Sequence, residues 1–184
     1  ATFGNGVAVA AVNEAGGREV RIFNELSSQL AYVYAMHRYR PRLIERLDAM
    51  AAAYADQVRS DRGRVGAGAL VAHAGHIEDV NIGPWAQVHG PASLHNGTIL
   101  SEQAAPTRVG SGVVAEDFII AEGSSVDSGA VLAATFVGQG VRIGKQFSAE
   151  NSLFFANCEG FHGEACSIFA GPYTVTHHKS TLLI

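Results

Sequence analysis

Ile82-Gly-Pro-Trp-Ala-Gln, Val88-His-Gly-Pro-Ala-Ser and Leu94-His-Asn-Gly-Thr-Ile each open on an aliphatic residue, and Leu100 opens the next run. After a short insertion the series resumes at Val109, Val114, Ile120, Val126 and Leu132. It continues through Val137, Ile143, Ala149, Phe155 and Phe161. A period of six fits neither a helical face nor plain strand alternation, and it is the signature of a parallel β-helix. Six residues per side and three sides per turn predict a rung of about 18 residues. Residues 66–184 then make about six rungs.

Strand side chains alternate, so the residue two before each guide position should also face the core. Val80/Ile82, Ala86/Val88, Phe118/Ile120, Ala130/Leu132, Val141/Ile143 and Leu153/Phe155 are apolar pairs of this kind. The last residues, Ser180-Thr-Leu-Leu-Ile184, stay strongly apolar, and an uncovered β end is an aggregation hazard. A neighbouring subunit or further sequence is expected to cover it.

Ahead of the repeat, residues 1–27 read as a hairpin turning at Gly16-Gly17, with Val20, Ile22 and Leu26 on one face. Residues 28–62 read as a helical segment capping the coil, its start capped by Ser27 or Ser28. Leu30, Val33, Tyr34, Ile44, Leu47, Ala51 and Tyr54 form its apolar stripe. Pro41 should break it into two helices. The basic run at that joint, His37 to Arg42, reads as a solvated face matched by Glu45 and Asp48.

Composition bounds the function. The net charge is −4 and the pI about 6.0, which argues against a nucleic-acid partner. No apolar stretch suits a membrane span and no targeting signal is visible, so a cytoplasmic protein without a membrane partner is expected. Cys158 and Cys166 read as reduced thiols. With His162 and His177 they could suggest zinc, but no tight Cys pair exists, and no metal is assigned.

Chemistry is expected where the regularity fails. The segment Ser101–Arg108 adds about three residues to one side and should bulge. The segment Asn157–Cys166 places polar residues at expected inward positions, and Pro172–Lys179 follows one rung later. An 18-residue rung sets Glu159 over His177, Gly160 over His178 and His162 over Ser180. A one-residue shift would set Cys158 over His177 instead. A carboxylate so placed could orient an imidazole as general base. The candidate catalytic residues are therefore His177, Glu159 and His162, with Asn157, His178 and Lys179 as candidate substrate-binding residues. His89 and His95 should face solvent or a neighbouring subunit.

The stretches Asn13–Val20, Phe136–Gln139, Ser152–Asn157 and Gly163–Ile184 resemble an uncharacterised family of hexapeptide-repeat proteins common in Bacteroidetes-type bacteria. The resemblance implies that this chain corresponds to the N-terminal part of such a protein. More broadly, the hexads resemble those of the left-handed β-helix transferases. That wider resemblance implies a left-handed coil, a homo-oligomer such as a trimer, a small-molecule substrate, and acyl transfer from acyl-CoA to a sugar or sugar nucleotide. No residues of a CoA-binding part can be matched. The alternative is a non-catalytic oligomeric scaffold or ligand-binding module.

Overall fold

Seventeen residues carry the chain once around the coil. Val131 pairs with Ser148 and Ser125 with Arg142, all strands of the coil running parallel. The computed structural model describes residues 1–179 and 181–183. Seven strands, from Leu70–Ala72 to Val175–Thr176, line one sheet of the coil and count about seven turns rather than six. The second sheet begins at Arg64–Val65 and ends at Thr181–Leu183. Five of its strands are seven residues long, and each bends at its middle residue. Asp79, Asn96, Asp117, Ala134 and Asn151 take up that bend, with φ between +45° and +54°. Asn and Asp tolerate the left-handed region better than other side chains, which suits four of these five corners.

The shorter rung corrects the inward set. A one-residue slip sends a strand side chain to the opposite face. Ile99 rather than Leu100, Val113 and Ala115 rather than Val114, and Phe154 rather than Phe155 therefore enter the coil. Of the expected pairs, Leu153/Phe155 points outward. The column Ile119, Phe136, Leu153 and Phe169 also faces out, and the N-terminal segment covers it.

That covering corrects the expected place of the helices. Strand β1 (Ala8–Val9) pairs antiparallel with β2 (Val20–Arg21), as the hairpin reading predicts. Helices α1 (Ser28–Met36) and α2 (Pro41–Val58) separate at Pro41. The Ser27 hydroxyl caps α1 by accepting from the Leu30 amide, at 3.2 Å. Their buried residues Tyr34, Ile44, Leu47 and Ala51 pack on the flank of the coil, around Ile119, Phe136, Leu153 and Phe155. The first rung is left open, with Val65 and Leu70 more than half exposed. The outward phenylalanines explain the difference, because they supply the apolar surface that the helical stripe needs.

At the joint, Arg38 pairs with Glu19 at 3.0 Å and Asp48 with Arg21 at 2.9 Å, so the basic run is matched partly from the hairpin. No described helix is long and apolar enough to cross a membrane. Ser180 and Ile184 lie outside the described residues. So do the expected pairing of His162 with Ser180 and that part of the covered apolar end.

Candidate functional site

The coil varies its rung length at the segments that the sequence marks as irregular. Ser93 pairs with Val114 and Gln87 with Arg108, so the insertion near Ser101–Arg108 adds four residues rather than three. Near the C-terminus the rung shortens to sixteen. Ser148 pairs with Glu164, and Glu159 with Val175.

This contraction shifts the predicted stacking by two residues. Glu159 stands over Val175 and Gly160 over Thr176, so His177 follows in line with Phe161. Neither Glu159 nor Cys158 is directly opposite His177. The carboxylate reaches the imidazole diagonally instead, with Glu159 Oε2 at 3.2 Å from His177 Nε2. Arg142 approaches the other carboxylate oxygen at 3.4 Å. Phe161 packs on the His177 ring with centroids 4.9 Å apart. Phe161 also meets Lys145, whose Nζ lies 5.1 Å from the ring centroid. His177 and Glu159 are both half-buried.

His162 is reached by another route. It follows the strand Glu159–Phe161 and borders an open concavity of about 350 Å³ with Lys145, Gln146, Glu164 and Lys179. His178 packs edge-on against His177, 6.0 Å between centroids, and is exposed. Asn157 sits at the opposite end of the Glu159–Phe161 strand from His162. It takes a φ of +60° and leans over Gly140, as a corner residue does. The candidate substrate-binding role is therefore divided: His178 and Lys179 lie at the corner with His162, and Asn157 lies at another.

The cysteines are apart from this chemistry. Cys158 is buried and its thiol donates to the Gly171 carbonyl at 3.1 Å. Burial pushes that thiol above its ordinary range. Cys166 lies near Glu14 and is raised as well, first by desolvation. Among the described residues, the group with mutual metal-ligand spacing is Glu78, Asp79 and His95, and neither cysteine belongs to it.

Lys145, Gln146 and Arg142 were not marked by the sequence reading. One signal was present. The corner that carries Ser128-Gly129 in one rung carries Lys145-Gln146 in the next, with no glycine to ease the turn.

A family model described as "Domain of unknown function (DUF4954)" matches residues 1–184. The chain belongs to the DUF4954 family. This DUF4954 chain is also 30% identical, over 120 residues, to an uncharacterized protein of Treponema pallidum (strain Nichols). That match takes in 65% of the chain and spans 17% of the relative's length. No solved structure matches the DUF4954 chain significantly.

Proposed function

We propose that the C-terminal rungs form the site of a transferase-type β-solenoid enzyme, with His177 as general base. The 3.2 Å contact between His177 Nε2 and Glu159 carries this reading. In this reading the Glu159 carboxylate orients the imidazole, and His177 is the proton acceptor. It would take the proton of an acceptor hydroxyl or amine as that atom attacks an acyl carbon, and return it to the leaving group. Glu159 is a positioning residue here, held in turn by Arg142, and Phe161 fixes the plane of the ring.

No residue motif for holding acyl-CoA is matched, so the chemistry is argued from the acceptor side alone. A homo-oligomer, a trimer by resemblance to the hexapeptide-repeat transferases, belongs to the same reading. Val114 and Val131 support it, since they pair in neighbouring rungs and are 39% and 45% exposed on the outer face. A cytoplasmic setting is part of the proposal.

The test joins binding to chemistry. Acetyl-CoA should raise the melting temperature, and candidate sugar acceptors should then be acylated by the wild type. His177→Ala should abolish transfer with the fold retained. Binding with no transfer to any acceptor would favour the ligand-binding module instead.

A further inference from the structure

We propose that the corner formed by Lys145-Gln146, His162-Gly163 and His178-Lys179 binds the phosphate group of a small, hydroxyl-bearing molecule such as a sugar phosphate. The inference takes up the candidate residues His162, His178 and Lys179 and rests on the location of the site proposed above, beside His177, but it requires no turnover.

The first observation is conformational. These residues occupy one corner of the coil on three successive rungs, immediately after the strands Arg142–Gly144 and Glu159–Phe161 and one residue past Val175–Thr176. Lys145, Gln146, His162, His178 and Lys179 have φ of +53°, +62°, +53°, +66° and +61°. Earlier rungs solve the same turn with Gly112 and with Ser128-Gly129. Long side chains are disfavoured in the left-handed region, and residues held there cluster at sites of function. Where one rung places Ser128-Gly129, the next three place Lys145-Gln146, His162-Gly163 and His178-Lys179, so the corner becomes cationic or ionisable along the coil.

The second observation is the concavity of about 350 Å³ that this corner borders. Lys145 and Lys179 stand on its rim with His162 between them in the chain. Two ammonium groups supply the charge that a phosphate needs. Glu164 lines the same space and opposes a bare anion. Ser148 and Thr181 are there too. A ligand that carries hydroxyls satisfies all of these groups: its phosphate meets the lysines, and its hydroxyls donate to the Glu164 carboxylate and exchange hydrogen bonds with Ser148 and Thr181. The volume lies at the lower end of small-molecule sites. Lys145 also leans on Phe161, which packs on His177, so a phosphate held at this corner would tether the rest of its molecule beside the proposed base.

The test uses the intact chain with three probes: glucose 6-phosphate, inorganic phosphate and glucose, followed by titration calorimetry. Glucose 6-phosphate should bind more tightly than phosphate, and glucose should not bind measurably. Lys145→Asn and Lys179→Asn remove the charge but keep a residue that tolerates the left-handed backbone. Each should weaken glucose 6-phosphate binding about tenfold or more without lowering the melting temperature. His177→Ala should retain binding. Failure of the wild type to bind glucose 6-phosphate more tightly than phosphate, or undiminished binding in the double lysine variant, would overturn the proposal. Binding by the wild type without any transfer activity would leave the phosphate site standing and remove the transferase reading.

Discussion

Phe161 and His177 pack ring on ring, tilted by 42°, because the rung between them is sixteen residues long and sets one in line with the other. Had the rung kept its usual seventeen residues, position 178 would have followed in line with Phe161. The shortened rung thus selects which of two adjacent histidines is held and which is exposed. It also leaves Glu159 free to reach His177 diagonally, at 3.2 Å, while bonded to Arg142 from the preceding rung.

Glu159→Gln tests the positioning role. The amide retains shape and hydrogen bonding but cannot stabilise an imidazolium. Transfer activity should fall about a hundredfold, within the range of general acid–base contributions. The exposed side of the pair is screened by solvent, so stability should change by less than about 1 kcal/mol. Parallel measurement of turnover and thermal unfolding separates the two. A large loss of stability with unchanged turnover would make the contact structural.

The coil was legible because its signal is repeated: each rung writes the same apolar spacing again, and a local error is outvoted. The rung length was not, because five-residue and six-residue sides differ by one position and both leave an aliphatic residue nearby. Val113 and Val114 are adjacent, as are Phe154 and Phe155, and only packing decides which enters. The same ambiguity displaced the helices. The sequence spacing assigns Leu153 and Phe155 to the core of the coil, which leaves no outer apolar face for the helices to cover. The site was legible as a place, since His177, His162 and Glu159 stand where regularity fails, but the contacts depended on a two-residue contraction that no local pattern announces.

Gly97 and Phe118 give a test of how tightly the coil is filled. They pair in neighbouring rungs, and a Cβ on Gly97 would come within 2.2 Å of the fully buried Phe118 ring. Gly97→Ala should therefore destabilise the protein by about 2 kcal/mol, as overpacking of a full core does. Phe118→Leu in the same chain should recover part of that loss. Denaturant unfolding of both single variants and the double variant would measure the coupling, expected at about 0.5 kcal/mol or more.

Tyr34 makes the helical cover sensitive to alkali. It is fully buried, and its hydroxyl donates to Asp48, which Arg21 also holds at 2.9 Å. Burial, and after it the bond to Asp48, raises the Tyr34 hydroxyl well above its ordinary value of 10.0. Folding then favours the protonated form. The stabilisation is fully present below the unfolded value and is lost as pH rises above about 10, where the unfolded state releases the proton first. Unfolding free energies measured from pH 8 to 11 should fall more steeply in the wild type than in Tyr34→Phe. At neutral pH that variant should be about 1 kcal/mol less stable, through loss of one hydrogen bond. Identical pH profiles would remove Tyr34 from the alkaline response.

Gln146→Gly separates the strain of the cationic corner from its charge. Gln146 follows Lys145 with φ +62°, and its exposed side chain accounts for none of the positive charge there. Glycine adopts this backbone without the steric penalty of about 1–2 kcal/mol that other residues incur. Its greater freedom in the unfolded chain returns about 0.5–1 kcal/mol of that gain. A net stabilisation of about 0.5 kcal/mol follows, visible as a rise of about 1–2 °C in melting temperature for a chain of this size. Glucose 6-phosphate binding should persist, since both lysines remain. A variant that is less stable than the wild type would show that the Gln146 side chain supports the turn. A variant that is more stable but no longer binds would show that the strained backbone itself aims Lys145 into the concavity.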